Sequence, residues 1–268
     1  VGKSFHKQAS EYDGHASVQK RVVKRVISLV QSHMPGSPDT ILDVGCGTGQ
    51  LLAALKDLYP QAGLYGVDLA SNMLQCAAQR LGSDAILLNA DAEQLPFERS
   101  SIDLLVSTST LQWLDSLDIF FQQSELVLSN NGLLCVAFFG GNTLCELRDC
   151  FQTAVERRTG SSATYTNSLH HFMGREDVEQ ALGKSGFTRA IFMNDVETEY
   201  YNDLPDLLRS IKRIGAGTTT KAAGGAGLGW KGIINDAGRI YAEKYEMAGK
   251  IPATYEVIYV VAYGRNAG

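Results

Sequence analysis

Apolar and polar positions alternate along the chain with two different periods. Between Val18 and His33, the apolar residues Val22, Val23, Val26, Ile27 and Val30 recur at helical spacing, while Lys20, Arg21, Lys24 and Arg25 occupy the other face. Gly36 and Pro38 close that segment. Five apolar runs follow, TILDV (40–44), GLYGV (63–67), AILLN (85–89), IDLLVS (102–107) and LLCVAFF (133–139), with helical patterns between most of them. Strands this uniformly apolar are covered on both faces, and strands alternating with helices run parallel. Residues 38–140 therefore read as a doubly wound α/β core.

Beyond residue 140 the rhythm changes. Residues 143–158 and 175–185 have helical patterns, 187–201 reads as a strand of period two, and YEVIYVVAY (255–263) is a late strand. Between these strands lie DLPDLLRSIKRIGAG, the glycine-rich GGAGLG and a second helical run, INDAGRIYAEKYEMAG. If the flanking strands pair antiparallel, residues 202–250 stand where a short hairpin turn would suffice, and loops this long in a compact domain usually carry function. The chain thus divides into an N-terminal helical segment (1–37), a core (38–201 and 251–268) and a helical lid insertion (202–250). Its sheet is expected to be mostly parallel and Rossmann-like, with helices on both faces and an antiparallel last strand.

The first strand runs into ILDVGCGTGQ, where Gly45, Gly47 and Gly49 alternate before a helix. Such a turn brings backbone close to a ligand. A dinucleotide is one candidate, but its fingerprint is GxGxxG, and here the sixth position is Gln50. S-adenosyl-L-methionine is the other. Its ammonium group has a use for Asp43, two residues before the first glycine, whereas a pyrophosphate does not. Asp68 ends the second strand in YGVDLA, about 20 residues on, where a carboxylate accepts ribose hydroxyls; NAD proteins share this feature. In NADAEQLPF, Asp91 and Ala92 stand where an adenine edge would lie, and Met73, with Leu69 beside Asp68, is placed to pack on the ring.

Composition narrows the classes. The hydrophobic share of 44% over 268 residues is ample for a packed core. No apolar run reaches the roughly 18 to 20 residues of a membrane span, and the opening VGKSFHKQASEYDGHA has no apolar leader core. Five cysteines without CxxC spacing read as reduced thiols in a cytoplasmic protein, and Cys46 reads as a small filler of the glycine loop. A net charge of −5 argues against general nucleic-acid binding. His6 and His15 read as surface residues, and His170 and His171 lack metal-ligand spacing, so no metal is implied.

The ordered set LDVGCGTG, GVDLA and DAEQLPF resembles the class I S-adenosylmethionine-dependent methyltransferases. Further segments extend the likeness over nearly the whole chain: SFHKQASEYDGHASVQKRV, LQWLDSL, FFGGNTLCELR, LLRSIKRIGAG and IPATYEVIYVVAYG resemble the biotin-pathway malonyl-acyl-carrier-protein O-methyltransferases. RSIKRIGAG and PATYEVIY are the most specific of these. The resemblance implies methylation of the free carboxylate of a malonyl thioester on acyl carrier protein or coenzyme A, with S-adenosyl-L-homocysteine as co-product, and the ester primes biotin precursor synthesis. It also leaves Tyr12, Gln112 and Trp113 as residues that orient the acceptor, with no general base expected because the acceptor is already ionised. Arg209 and Lys212 are candidates for the acceptor carboxylate or a phosphopantetheine phosphate, and Arg21, Lys24 and Arg25, with Lys20 beside them, for docking an acidic carrier. A methyltransferase acting on a free small acid, and a cofactor-binding module or dinucleotide enzyme, are the alternatives.

Overall fold

The computed structural model describes residues 17–160, 172–213 and 228–264. Among them run α1 (Ser17–His33), β1 (Thr40–Val44), α2 (Gln50–Leu58), β2 (Gly63–Asp68), α3 (Ser71–Leu81), β3 (Ala85–Asn89), β4 (Ile102–Thr108), α4 (Leu117–Val127), β5 (Leu128–Phe139), α5 (Cys145–Thr159), α6 (Arg175–Gly183), β6 (Arg189–Tyr201), α7 (Leu204–Arg213), α8 (Leu228–Tyr245) and β7 (Ile251–Tyr263). The strands form one sheet in the order β3–β2–β1–β4–β5–β7–β6. Pairs from β3 to β5 are parallel, and β7 runs antiparallel to both β5 and β6. No helix among the described residues is long and apolar enough to cross a membrane.

The central strands are apolar throughout because both faces are covered. Ile41, Leu104, Val106, Ala137 and Phe139 belong to one buried cluster, with Val18, Val22, Val26, Leu29 and Val30 of α1. Leu42, Val44, Leu105, Val136 and Phe138 belong to a second, with Phe120 and Phe121 of α4 and Val178 and Leu182 of α6. Alternation along each strand separates the two faces.

Three strand starts differ from the sequence reading. β5 begins at Leu128 rather than 133, because the polar residues 129–131 continue the strand through an irregular stretch: Asn131 has φ of 63° and the register with β4 shifts between Ile102 and Leu104. β7 begins at Ile251 rather than 255, and β6 at Arg189 rather than 187.

Tyr201 pairs with Ile251, so the chain leaves and re-enters the sheet at a single rung. Its excursion is nevertheless part of the core. α7 buries Leu204, Leu207 and Ile211, and α8 buries Ile233, Ala237, Ile240 and Tyr241, all in the cluster that contains α1 and the central strands. The boundaries at 37/38, 201/202 and 250/251 therefore divide the chain without separating packing units. The described helices of the insertion pack on the core, and residues 214–227, which include most of GGAGLG, lie outside the described residues.

Candidate active site

β1 feeds the glycine turn, where the Gly45 and Cys46 amides both donate to the Val67 carbonyl of β2 (2.8 and 3.0 Å). Gly45, Gly47 and Gly49 all have positive φ, at 72°, 53° and 77°. Their surroundings give them different tasks. A Cβ on Gly45 would collide with the side chain of Thr110. Gly49 lies under α3, where a Cβ would come within 3.1 Å of Ala77 Cβ. Gly47 meets nothing within 4 Å, and its amide donates to Asp68 Oδ2 at 2.9 Å.

The turn walls an open pocket lined by Gly45, Gly47, Val67, Asp68, Leu69, Ala70, Met73, Ala90, Ala92, Thr108, Ser109, Thr110, Trp113 and Leu114. Of the residues expected at the cofactor, Gly45, Gly47, Asp68, Leu69, Met73 and Ala92 line it, whereas Asp43, Gly49 and Asp91 do not. Asp91 is exposed, and its Oδ1 accepts the Glu93 amide at 2.9 Å, which shapes the turn carrying Ala92. Leu69 is 58% exposed and Met73 is buried, so two apolar side chains of different accessibility flank the Asp68 carboxylate.

Asp43 lies beneath this turn, 1% exposed. Its Oδ1 is buried with no hydrogen-bond partner among the described residues. Burial, and then the neighbouring Asp68 charge, push the Asp43 carboxyl up to about 8. A carboxylate so placed is costly unless a cation or a proton meets it. The orphaned oxygen lies behind the pocket lining, with capacity left for a proton or a cation. Asp68 is raised by burial, opposed by the Ala70 amide, which donates to Oδ1 at 2.7 Å, and by the Gly47 amide. Each of its oxygens keeps a lone pair for a ligand hydroxyl. Burial, Asp43 and Asp68 push the Cys46 thiol up, which leaves it unreactive packing against Gly66.

Beyond β4 the backbone turns sharply. Ser109 has φ of 56°, and its amide donates to Ala137 O at 2.8 Å. Gln112 is buried behind the pocket wall; its Nε2 donates to Ser109 O at 2.8 Å, and Oε1 is buried with no hydrogen-bond partner among the described residues. Trp113 lines the pocket beside Leu114. Sequence reasoning passed over Thr110, whose side chain fills the space a Cβ on Gly45 would need, and Ser107, whose Oγ donates to Val44 O at 2.7 Å and ties β4 to β1. Nothing in STST marks either residue until the strands are placed side by side.

The cationic candidates face outward. Arg209 is exposed, with a 3.4 Å ion pair to Asp206 on its own helix, and Lys212 is exposed. Arg21 Nε lies 2.7 Å from Glu197 and its guanidinium 3.3 Å from Glu199, while Arg25 lies 3.5 Å from Asp195, so both bind the outer strand β6. Lys20 and Lys24 are exposed and have no ion pair among the described residues. Glu199 also accepts from Ser17 Oγ and Tyr201 OH, and Tyr201 OH lies 3.2 Å from Ser210 Oγ. The start of α1 and the middle of α7 therefore meet around Glu199. Tyr12, His6, His15, His170 and His171 lie outside the described residues.

Comparison with known proteins identifies the family and the fold. The methyltransferase-domain family matches residues 42–136. The malonyl-[acyl-carrier protein] O-methyltransferase of Geobacter sulfurreducens is 42% identical over 97% of both chains. Among solved structures, YcgJ of Bacillus subtilis superposes with a TM-score of 0.62 at 16% identity, covering 91% of this chain and 99% of that one. A phosphoethanolamine N-methyltransferase of Haemonchus contortus, solved with S-adenosylhomocysteine and phosphomonomethylethanolamine, superposes with a TM-score of 0.54 at 20% identity, covering 91% of this chain and 53% of that one.

Proposed function

Because the chain belongs to the malonyl-[acyl-carrier protein] O-methyltransferases, we infer that it transfers a methyl group from S-adenosyl-L-methionine to the free carboxylate of a malonyl thioester on acyl carrier protein. The observation that carries the reading at the site is Asp43: a buried carboxylate with an orphaned oxygen at the glycine turn suits a ligand whose end is cationic. Asp68 would hold the ribose hydroxyls, and Leu69, Met73 and Ala92 the adenine, with Asp91 acting through the turn it shapes. The bound sulfonium supplies a methyl group that is already activated.

What remains for the protein is alignment and exclusion of water. A malonyl carboxylate is ionised at neutral pH, so no side chain has to remove a proton. Charge is neutralised as the methyl group arrives, and a dry wall such as Trp113, Leu114 and Met73 favours that change over the separated charges. Gln112 would act through the backbone of Ser109 that it holds. A tight ion pair would lower the nucleophilicity of the acceptor, and the outward positions of Arg209 and Lys212 suit contact with the phosphopantetheine phosphate better than with the carboxylate.

Carrier docking involves the same rim. The chain is net negative, as an acidic carrier is, so attraction must be local. With Arg21 and Arg25 engaged by β6, Lys20, Lys24 and Lys212 are the cations with charge to spare. The test is transfer of labelled methyl to malonyl-carrier protein, malonyl-coenzyme A and free malonate in parallel. Carrier-dependent labelling of the carboxylate supports the reading; labelling of free malonate at the same efficiency would replace it with a small-acid methyltransferase.

A further inference from the structure

We propose that Tyr255 orients the acceptor carboxylate by donating its phenolic hydrogen to the oxygen that does not take the methyl group. The proposal rests on the malonyl reading above. It begins from two sequence motifs with no task so far, FFGGNTLCELR and PATYEVIY, which the fold locks together. The Gly140 amide donates to Glu256 O (2.9 Å), the Asn142 amide to Glu256 Oε2 (2.8 Å) and the Leu144 amide to Thr254 O (2.6 Å). In return the Thr254 amide and hydroxyl donate to Glu146, and the Glu256 amide donates to Thr143 Oγ1 (3.2 Å). Residues 254–256 are thus clamped from both sides to the turn that follows β5.

Tyr255 lies between the two clamped residues and points to the sheet face shared by Val106, Ala137 and Phe139. Asp43 and Thr108 project from that face by alternation with Ile41 and Val106. Its ring lies 5.9 Å from that of Phe139, on the strand next to the one that ends in the pocket-lining Thr108. The hydroxyl is 3.3 Å from Tyr201 OH. Tyr201 donates its own hydrogen to Glu199 Oε2 at 2.8 Å, since a carboxylate can only accept, so Tyr255 is the donor of the pair and its hydrogen rests on the Tyr201 oxygen. At 3.3 Å that phenol contact is long for an O–H···O bond, and an anionic acceptor makes a stronger one. Burial holds both phenols above the ordinary tyrosine range, so the donor keeps its hydrogen at any working pH.

The chemistry asks for such a group. The acceptor needs orientation by a neutral donor, and the nearby guanidinium groups of Arg21 and Arg25 are bound to β6. In the transfer, the sulfur–methyl bond breaks as the oxygen–methyl bond forms, the carboxylate loses its charge and the sulfonium its own. The Tyr255 hydrogen stays on its phenol throughout.

The test uses the full chain with Tyr255→Phe and Tyr201→Phe, malonyl-carrier protein as substrate and acetyl-carrier protein, which lacks the carboxylate, as competitor. Tyr255→Phe should lower kcat/KM by about 10- to 100-fold, the loss expected for one hydrogen bond to a charged group. S-adenosylhomocysteine affinity and melting temperature should hold, and the preference for the malonyl over the acetyl carrier should shrink. Tyr201→Phe, which removes only the resting partner, should cost less. Unchanged kcat/KM, or a loss that travels with cofactor affinity and melting temperature, would overturn the proposal. Wild-type protein inert on malonyl thioesters would overturn the underlying reading and this inference with it, whereas an active wild type beside an equally active Tyr255→Phe variant overturns the inference alone.

Discussion

On the β1 side of the sheet, Asp43 lies buried with an oxygen unpartnered among the described residues, while on the β5–β7 side Glu146 and Glu256 are also buried and their oxygens accept from Thr254, Asn142 and Asn194. All three are carboxylates near the same edge of one sheet. A carboxylate whose bonds are all made by its own chain is a brace, and one left short is an address for something else. The contrast separates residues that bind from residues that hold the binding surface in shape, which burial alone does not do.

The largest expected effect comes from the turn above Asp43. Gly45→Ala forces a Cβ into Thr110 at a φ of 72°, and left-handed strain with overpacking together should cost about 2 to 6 kcal/mol. Denaturant unfolding should record that loss, and calorimetry should find S-adenosylhomocysteine binding abolished. An unaffected protein would mean that the turn is not rigid.

Asp43→Asn comes next and addresses the contrast directly. Removing the charge should weaken S-adenosylmethionine by about 10- to 150-fold without destabilising the fold. The pH dependence gives a second measure. With its folded pKa raised to about 8 from 3.8, Asp43 holds a proton in the ligand-free protein that the unfolded chain has released. Its contribution to stability is therefore greatest below pH 4 and declines as pH rises to about 8, with a slope of at most about 1.4 kcal/mol per pH unit. Affinity for the cationic ligand should rise over the same window as Asp43 ionises. Both slopes should vanish in Asp43→Asn; their persistence would assign the orphaned oxygen to some other role.

Glu256→Ala tests the brace. Unpairing the Asn142 amide and Asn194 should cost about 1 to 3 kcal/mol in unfolding and leave S-adenosylhomocysteine affinity as it was. A large drop in that affinity would erase the distinction between the two sides. The smallest effect belongs to the rim: Lys24→Glu should raise the KM for malonyl-carrier protein about two- to fivefold at low salt, fade at high salt, and spare malonyl-coenzyme A.

The cofactor side was the more legible of the two because its elements are short, local and regular. Five strands and the three glycines follow from apolar runs and from a turn within ten residues, and Asp43 and Asp68 stand at fixed distances from them. Even there, sequence could not distinguish Gly47, open to the pocket, from Gly49, pressed on α3, because that depends on a helix nearly thirty residues away. The β5–β7 side depends on partners far apart in the chain. Glu146 meets Thr254, Arg21 meets Glu197, and Tyr255 meets Tyr201, and no local pattern announces such pairs. Basic residues at helical spacing on α1 read as a free surface, yet two of them spend their charge on β6.

The single rung at which Tyr201 and Ile251 meet also bears on the order of folding. A hairpin with a two-residue turn can zip from its closed end, but here closure of about 50 residues must come first, and the added loop entropy is roughly 3 kcal/mol over a tight turn. The thirteen-pair ladder of β6 and β7 is therefore disfavoured as an early nucleus. The ladder is expected to form after α7 and α8 have docked on the core, so in refolding followed by hydrogen exchange the β6–β7 hairpin should gain protection after the glycine turn.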